Sequence, residues 1–254
     1  MKAQEQLIDN TANNLANVNT GGFKRSRVDF ADLMYTNVRA PGSSVSGAQV
    51  SPTGLQIGNG VRVASTTKHF ATGNMEQTGN PLDVAIEGDG FFQVQIPNGE
   101  TRYTRAGNFK LDGEGRIVTG DGLLLVPNVV IPNGQDGQKI TIGTDGTVQS
   151  AVSQSDQAPA TVANIQIVTF VNPAGLSNEG GNLYALTPAS GPAVPGTPSG
   201  LGFGTLRQGY QEGSNVEVVG ELISLISAQR AYEINSRAIR AGDEMLSTSA
   251  DIVR

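Results

Sequence analysis

The sequence contains no cysteine and no tryptophan, and its single histidine is His69. Without cysteine the chain has no disulfide framework, no thiolate zinc site and no cysteine nucleophile. His69 stands between Lys68 and Phe70 with no second histidine to share a ligand, so we interpret it as a surface or packing residue. The G-x-S-x-G motif of serine hydrolases is also missing. We therefore predict no catalytic residue, no metal and no cofactor, and a protein that is not an enzyme.

Positive charge is scarce, because 17 Lys and Arg residues face 23 Asp and Glu residues for a net charge of -6. Nucleic-acid binding requires clustered positive charge, so we expect no nucleic-acid partner. Long apolar runs are lacking too: the densest, Leu123–Val126, stops at Pro127, far short of the roughly 20 residues of a membrane-spanning helix. The first residues, Met1–Asn10, hold no apolar core segment. We expect neither membrane insertion nor a cleaved secretory signal peptide.

The middle of the chain is rich in turn residues and has the alternation of β-strands. Between Val61 and Tyr210, short apolar and polar runs are separated by Gly, Asn, Asp and Pro, and no helical pattern interrupts them. The turns after Phe91–Ile96 and at Asp112–Gly115 predict a meander of hairpins. We predict one strand at Val162–Val171 and an exposed loop at Gly191–Gly204. An antiparallel all-β central domain follows, because parallel crossovers would need helices.

Both ends of the chain are predicted to be helical. Ala3–Val18 has helical apolar spacing but five asparagines in or next to it, so we expect a weak helix that orders only when packed. From Val218 onward, steps of four and three residues form an apolar seam of the kind that faces a partner helix. Ser214–Glu217 fits a capping box at its start. A helix lying on the β-domain is the alternative, but Val216–Leu246 would span on the order of 45 Å, longer than one face of a small β-domain.

These patterns predict a mixed, mainly β fold. An antiparallel all-β central domain, residues 61–213, is flanked by helices at 1–22 and 214–254 that pack together as a coiled-coil-like terminal domain. Residues 23–60 form an extended linker or insertion. Within it, the basic cluster Lys24–Arg27 has two interpretations: a solvated face, or a contact for phosphate or an acidic partner.

Three motifs resemble the family of bacterial flagellar rod and hook proteins. Asn13–Lys24, NNLANVNTGGFK, resembles the N-terminal signature of that family, and Gln229–Ser236, QRAYEINS, resembles its C-terminal motif. Asp83–Ile86 followed by Gly88–Phe92 is similar to the central domain. Residues 41–61 are similar to an insertion typical of the distal rod branch of the family.

The resemblance implies a structural axial subunit of the distal rod, which assembles helically with copies of itself into a rigid hollow shaft that transmits motor torque to the hook. It implies a periplasmic rod, export by the flagellar export apparatus without cleavage, and proximal rod protein, hook protein and outer rings as partners. A proximal rod or hook-type subunit is the alternative. A secreted β-rich glycan-binding module is a further one, disfavoured because aromatic platforms for sugars are few.

The resemblance and the helical seam together define the predicted assembly interface. Its residues are Asn14, Leu15, Asn17, Val18, Phe23, Val218, Leu222, Leu225, Gln229, Tyr232, Asn235 and Ile239. Three insertion residues are predicted to contact neighbouring subunits: Leu55, Ile57 and Val61.

Overall fold

The structure is a computed structural model, and it describes residues 1–40, 44–46, 49–50, 53–131, 140–150 and 160–252. The chain divides into two compact units. The first, here called the helix–ribbon unit, combines residues 1–15, 26–67 and 218–254. The second, here called the β-domain, combines residues 16–25 and 68–217. The chain therefore passes from one unit to the other four times, after residues 15, 25, 67 and 217.

Two helices lie in the helix–ribbon unit, as the apolar spacing predicts. Helix α1 runs over Lys2–Ala16 and helix α2 over Val218–Ile252. The 35 residues of α2 give a length of roughly 52 Å. Neither helix is long and apolar enough to cross a membrane within the part of the chain that the structure describes.

The remainder of this unit is a ribbon of nested strand pairs. Its six strands are β1 (Ser26–Asp32), β2 (Thr36–Arg39), β3 (Ser44–Ser46), β4 (Gln49–Val50), β5 (Leu55–Ile57) and β6 (Val61–Lys68). β1 pairs with β6, β2 with β5 and β3 with β4, so the chain runs out along one side and returns along the other. Most of the predicted linker, residues 23–60, therefore belongs to a paired ribbon. It contains the outgoing strands β1, β2 and β3 and two of the returning strands, β4 and β5. Its residues 41–43, 47–48 and 51–52 lie outside the described residues.

The β-domain contains sixteen further strands among its described residues. They are β7 (Met75–Gln77), β8 (Val84–Glu87), β9 (Phe91–Gln95), β10 (Thr101–Thr104), β11 (Lys110–Leu111), β12 (Ile117–Val118), β13 (Leu124–Val126), β14 (Ile140–Ile142), β15 (Thr147–Ser150), β16 (Ala160–Asn164), β17 (Ile167–Thr169), β18 (Ser177–Gly180), β19 (Leu183–Ala185), β20 (Val194–Gly196), β21 (Thr205–Gln208) and β22 (Tyr210–Glu212). A short 3-10 helix spans Pro173–Gly175.

Strand β9 is the centre of the main sheet. This nine-stranded sheet runs β11-β12-β13-β9-β10-β19-β18, and β17 joins it by pairing with both β9 and β20. β14, β15 and β16 form a three-stranded sheet, and two pairs, β21 with β8 and β22 with β7, complete the domain. All of these pairings are antiparallel, which confirms the predicted fold class.

Alternation along β9 sends successive rings to opposite faces, and both faces are covered. Phe92 belongs to a large aliphatic core with Ile86, Leu125 and Leu206. Phe91 belongs to a second, aromatic cluster that includes Tyr184. Both rings are almost fully buried, so β9 contributes to the hydrophobic packing on both faces of the sheet.

Local predictions of strand ends were less accurate. The single strand predicted at 162–171 is interrupted by Ile165, which is buried, and is resolved into β16 and β17. The loop predicted at 191–204 contains β20, which pairs with β17 alone among the described strands. Pro195 is compatible with that position because an edge strand leaves one row of backbone groups unpaired.

The structure also shifts two boundaries. The predicted capping box is wrong, because Ser214–Glu217 precedes α2 and Ser214 instead accepts a hydrogen bond from the Val216 amide at 3.3 Å. The boundary expected between residues 60 and 61 falls after Thr67, because β6 pairs back onto β1 and stays with the ribbon.

Candidate functional site

Helix α2 carries the largest group of exposed apolar residues in the helix–ribbon unit. Ile234 is 65% exposed and Met245 69%, whereas a single globular domain would bury such residues. The exposed apolar residues of α2 are Val218, Val219, Leu222, Ile223, Ile226, Tyr232, Ile234, Ile239, Met245 and Leu246. They surround the helix instead of forming one stripe, so one neighbouring element would not cover them all.

The predicted seam residues are placed on this exposed helix. Val218, Leu222, Tyr232 and Ile239 are exposed, as are Gln229 and Asn235, and Leu225 is half-buried. Both helices belong to the same compact unit of one chain, and α2 buries Glu221 and Ala228. The coiled-coil-like pairing of the two helices stays a prediction.

The N-terminal members of the predicted interface have a different role from the one expected. Leu15, Asn17 and Val18 are half-buried, but Asn14 and Phe23 are almost fully buried within the single chain. Neither side chain presents surface to a neighbouring copy. They support the fold on which an interface is built.

The asparagines of α1 bind the first strand of the ribbon. Asn14 donates from Nδ2 to the Ser26 carbonyl at 2.8 Å and accepts from the Ser26 amide at 2.9 Å. Asn10, one turn earlier, donates to the same carbonyl at 2.8 Å. An amide side chain paired with a backbone N–H and C=O replaces a strand partner. The asparagines that weaken the isolated helix thus attach it to β1.

The ribbon presents a second exposed apolar surface. Leu55, Ile57 and Val61 are each more than half exposed. Their outgoing counterparts across the ribbon, including Met34, Tyr35 and Val38, are exposed as well. Thr36 pairs with Ile57 and Arg39 with Leu55, so the backbone is ordered while the side chains remain uncovered.

A buried ionic cluster in the β-domain was missed by the sequence analysis. Lys24 donates from Nζ to Glu212 Oε1 at 2.6 Å, and Arg105 contacts Glu212 Oε2 from Nη1 at 3.5 Å. The three side chains are at most 1% exposed. We call Lys24, Arg105 and Glu212 the junction cluster.

The electrostatics of the junction cluster are those of charges taken out of water. Burial lowers the pKa of Lys24 below its ordinary value, and the Glu212 carboxylate opposes this shift. Burial lowers the pKa of Arg105 as well, again against the attraction of Glu212. Desolvation of ions offsets most of their mutual attraction, so such a cluster specifies geometry more than it adds stability.

The junction cluster corrects the interpretation of the basic run Lys24–Arg27. The solvated face is wrong for Lys24, whose ammonium points at Glu212, and holds for Arg25 and Arg27, which are exposed. Gly22 explains the approach: its φ is +72°, and a Cβ there would lie 2.7 Å from the Ala106 amide nitrogen. No local pattern pairs Lys24 with Glu212, because 188 residues separate them.

The acidic and histidine residues that the structure describes are the candidates for a metal site. They contain no group of three or more histidine, aspartate or glutamate residues arranged to hold a metal ion. The arrangement offers apolar and polar surfaces for contact with other chains, on a helix and a ribbon that are held in place by hydrogen bonds.

Three family models match the chain along most of its length. The model for the flagella basal body rod protein matches residues 1–24, and that for the flagellar hook protein FlgE/F/G D1 domain matches residues 85–150. The model for the C-terminal part of the flagellar basal body rod FlgEFG protein matches residues 207–252. The outer two matches take in α1 and α2, and the middle one begins within β8.

Full-length relatives carry consistent names. The flagellar basal-body rod protein FlgG of Buchnera aphidicola subsp. Schizaphis graminum is 46% identical over 97% of this chain and 94% of its own length. FlgG of Borreliella burgdorferi is 42% identical over 100% and 96%, and FlgG of Caulobacter vibrioides 44% identical over 99% and 95%. With two ordered but uncovered apolar surfaces and this likeness over its whole length, the chain belongs to the flagellar basal-body rod protein family and is a structural subunit of the flagellar rod.

Proposed function

We propose that this subunit forms the distal rod: it assembles helically with copies of itself, through α1 and α2, into a hollow shaft that transmits motor torque to the hook. Copies join head to tail, because contacts between different surfaces of the same chain produce an open helical polymer when the rotation does not close. The neighbours along the shaft are a proximal rod protein on one side and a hook protein on the other, with the outer rings around it.

The observation that carries this proposal is the exposure of apolar residues all around α2. Fully burying an aliphatic side chain contributes about 1.5–3 kcal/mol relative to exposure, so the nine aliphatic residues that α2 exposes beside Tyr232 could strongly stabilise contacts with other copies. One partner helix covers only one stripe, whereas the packed interior of a tube surrounds each helix with several neighbours. Arg237 and Glu233 form an exposed ion pair at 3.8 Å between these apolar residues.

In this proposal the ribbon also makes the shaft stiff. We propose that Leu55, Ile57 and Val61 contact neighbouring subunits and wedge between them. An isolated two-stranded ribbon is marginal in water. Contacts with neighbouring copies give a reason for its apolar exterior and would resist bending of the shaft.

The proposed place of assembly is the periplasm. The subunit reaches it through the flagellar export apparatus without cleavage of a signal peptide. Helices that lack their partners before assembly suit such a route, because weakly stabilised segments unfold at low cost.

Deletion of residues 218–254 tests the assembly role. Starting the deletion at Val218 keeps Val216, which is buried, and leaves every residue of the β-domain in place. We expect the shortened chain to keep the cooperative thermal transition of the β-domain and to form no polymer, as seen by electron microscopy. Normal straight polymers from the shortened chain would refute the proposal.

A further inference from the structure

Every force that the covalent chain carries between the two units enters the β-domain at its chain crossings. After α1 the chain enters at residue 16 and leaves at residue 25; it re-enters at residue 68 and leaves for α2 after residue 217. Three segments of the β-domain adjoin the last three of these four points: residues 22–25, 68–74 and 212–217. A shaft transmits torque only if such points hold their positions under load.

A dense set of hydrogen bonds ties the three segments together inside the β-domain. Lys24 Nζ reaches both Glu212 Oε1 and the Ala71 carbonyl, the latter at 2.8 Å. The Gly73 amide donates to the same Glu212 Oε1 at 2.9 Å. The Gly22 amide donates to the Glu212 carbonyl at 2.7 Å. Glu212 therefore binds the other two segments at once.

A second layer of contacts repeats the arrangement nearer the surface. The Asn215 side chain accepts from the Arg25 amide at 2.7 Å and donates to the His69 carbonyl at 2.8 Å. The His69 amide donates to the Arg25 carbonyl at 2.9 Å. Lys68 donates to the Lys24 carbonyl at 3.0 Å, and its ammonium lies 4.4 Å from the centre of the Phe23 ring. Each pair of segments is joined by at least one bond in this layer or the first.

We propose that the junction cluster is the mechanical joint of the subunit: Glu212, held by Lys24 and Arg105, clamps the chain segments at three of the four crossings through which torque passes between the helix–ribbon unit and the β-domain. The proposal rests on the proposed function, because only a torque-transmitting shaft needs such a joint. Glu212, Lys24 and Arg105 act as positioning residues.

The chemistry suits this role better than an apolar contact would. Apolar side chains slide past one another at little cost because their attraction has no direction, whereas a buried carboxylate loses a hydrogen bond whenever one partner moves. In the dry interior the lost bond cannot be replaced by water. A displacement of any of the three segments therefore breaks a charged hydrogen bond.

The test compares Glu212→Gln with Glu179→Gln. Both substitutions replace a carboxylate by its isosteric amide in the β-domain, but Glu179 is an exposed partner of Arg102. In the purified full-length protein, we expect Glu212→Gln to speed hydrogen exchange of the Gly73 amide by about 10- to 100-fold, since its charged acceptor is replaced by a weaker, neutral one. Glu179→Gln leaves that rate unchanged.

The functional readout is motor torque at high load in a flagellated host that depends on this subunit. We expect Glu212→Gln to assemble rods in normal number and to deliver at most half of the wild-type torque, while Glu179→Gln delivers it in full. A covalent staple, Arg25→Cys with His69→Cys, joins two of the segments at their backbone hydrogen bond, and the chain has no competing thiol. The oxidised staple should restore torque to Glu212→Gln, and its reduction should remove it again.

Each result decides between the alternatives. Full torque from Glu212→Gln rods overturns the joint. If Glu212→Gln forms no rods, the stapled Glu212→Gln variant decides. Stapled rods that deliver full torque support the joint. No rods, or stapled rods with low torque, overturn it. Failure of the wild-type chain to form rods in the same host would reject the proposed function itself, independently of the joint.

Discussion

The β-domain and the helix–ribbon unit use similar apolar residues in opposite ways. In the β-domain, Ile86 and Phe92 are fully buried, whereas in α2 Ile234 is 65% exposed and in the ribbon Met34 is 88% exposed. The β-domain buries most of its large apolar side chains within one chain, with Val171 and Leu201 as exposed exceptions. The helix–ribbon unit leaves much of that surface exposed, and under the proposed function neighbouring copies cover it.

Charged residues show the same contrast. The β-domain encloses Lys24, Arg105 and Glu212 with partners, while the Arg237–Glu233 pair of α2 is exposed and contributes little to stability. A folded domain specifies positions by buried polar bonds. Glu221, near the start of α2, is an exception, because it is buried within the helix–ribbon unit.

The largest effect is expected in the core of the β-domain. Phe92→Ala removes a fully buried ring that meets Phe109 edge to face, with centroids 5.0 Å apart. We expect the free energy of unfolding to fall by about 3–5 kcal/mol, from lost burial and the cavity left behind. Chemical denaturation of the unassembled protein measures it. A loss below about 1 kcal/mol would contradict a self-sufficient core.

A pH-dependent effect of intermediate size is expected at Tyr184. Burial raises the pKa of its phenol from 10.0 to about 12. The unfolded chain therefore releases this proton first, and the stability contributed by the neutral phenol is lost as pH rises from about 10 to about 12. The loss is on the order of 2–3 kcal/mol. Unfolding measured at pH 9 and pH 12 should show this decline in the wild type and a correspondingly smaller one in Tyr184→Phe.

A smaller effect is expected for the bond between α1 and the ribbon. Asn14→Ala leaves the Ser26 amide without its acceptor, which costs about 1–2 kcal/mol after the gain in helix propensity is counted. Amide exchange at Ser26 in the full-length protein reports it. Asn235→Ala, at an exposed position of α2, serves as the control and should leave exchange at Ser26 unchanged.

The smallest effect on the single chain is expected on α2, together with a large one on the polymer. Ile234→Ala removes an exposed side chain, so the unassembled protein should change by less than about 0.5 kcal/mol. The critical concentration for polymerisation should rise at least tenfold, as light scattering would show. Equal losses in both measurements would mean that α2 is covered within one chain, and the contrast between the two units would fail.

The sequence predicted those elements whose pattern is local. The hairpin turn after Phe91–Ile96 is confirmed by β9 and β10, and the alternation along this stretch predicts its two faces. The turn predicted at Asp112–Gly115 is confirmed as well, because β11 and β12 pair on either side of it. These agree because period-two burial depends on neighbours in the chain. β20 was missed, since Pro195 and the surrounding glycines argue for a loop unless the pairing with β17 is known.

Function in the broad sense was accessible without a structure, because the motifs at Asn13–Lys24 and Gln229–Ser236 are long and specific. The candidate site was accessible only in part. The apolar seam of α2 was predicted, but the burial of Asn14 and Phe23 was not. An asparagine reads as a weak helix former until the strand that it binds is placed beside it.

By itself the sequence determined the composition of the two regions: a turn-rich β-domain, two terminal helices, and an apolar seam on α2. Periodicity records these properties because each depends on residues a few positions apart. Only the tertiary structure decided that Lys24 meets Glu212 across 188 residues, that the predicted linker is a paired ribbon, and that α2 begins at Val218. Those outcomes depend on the path of the backbone between distant segments, and no local pattern encodes that path.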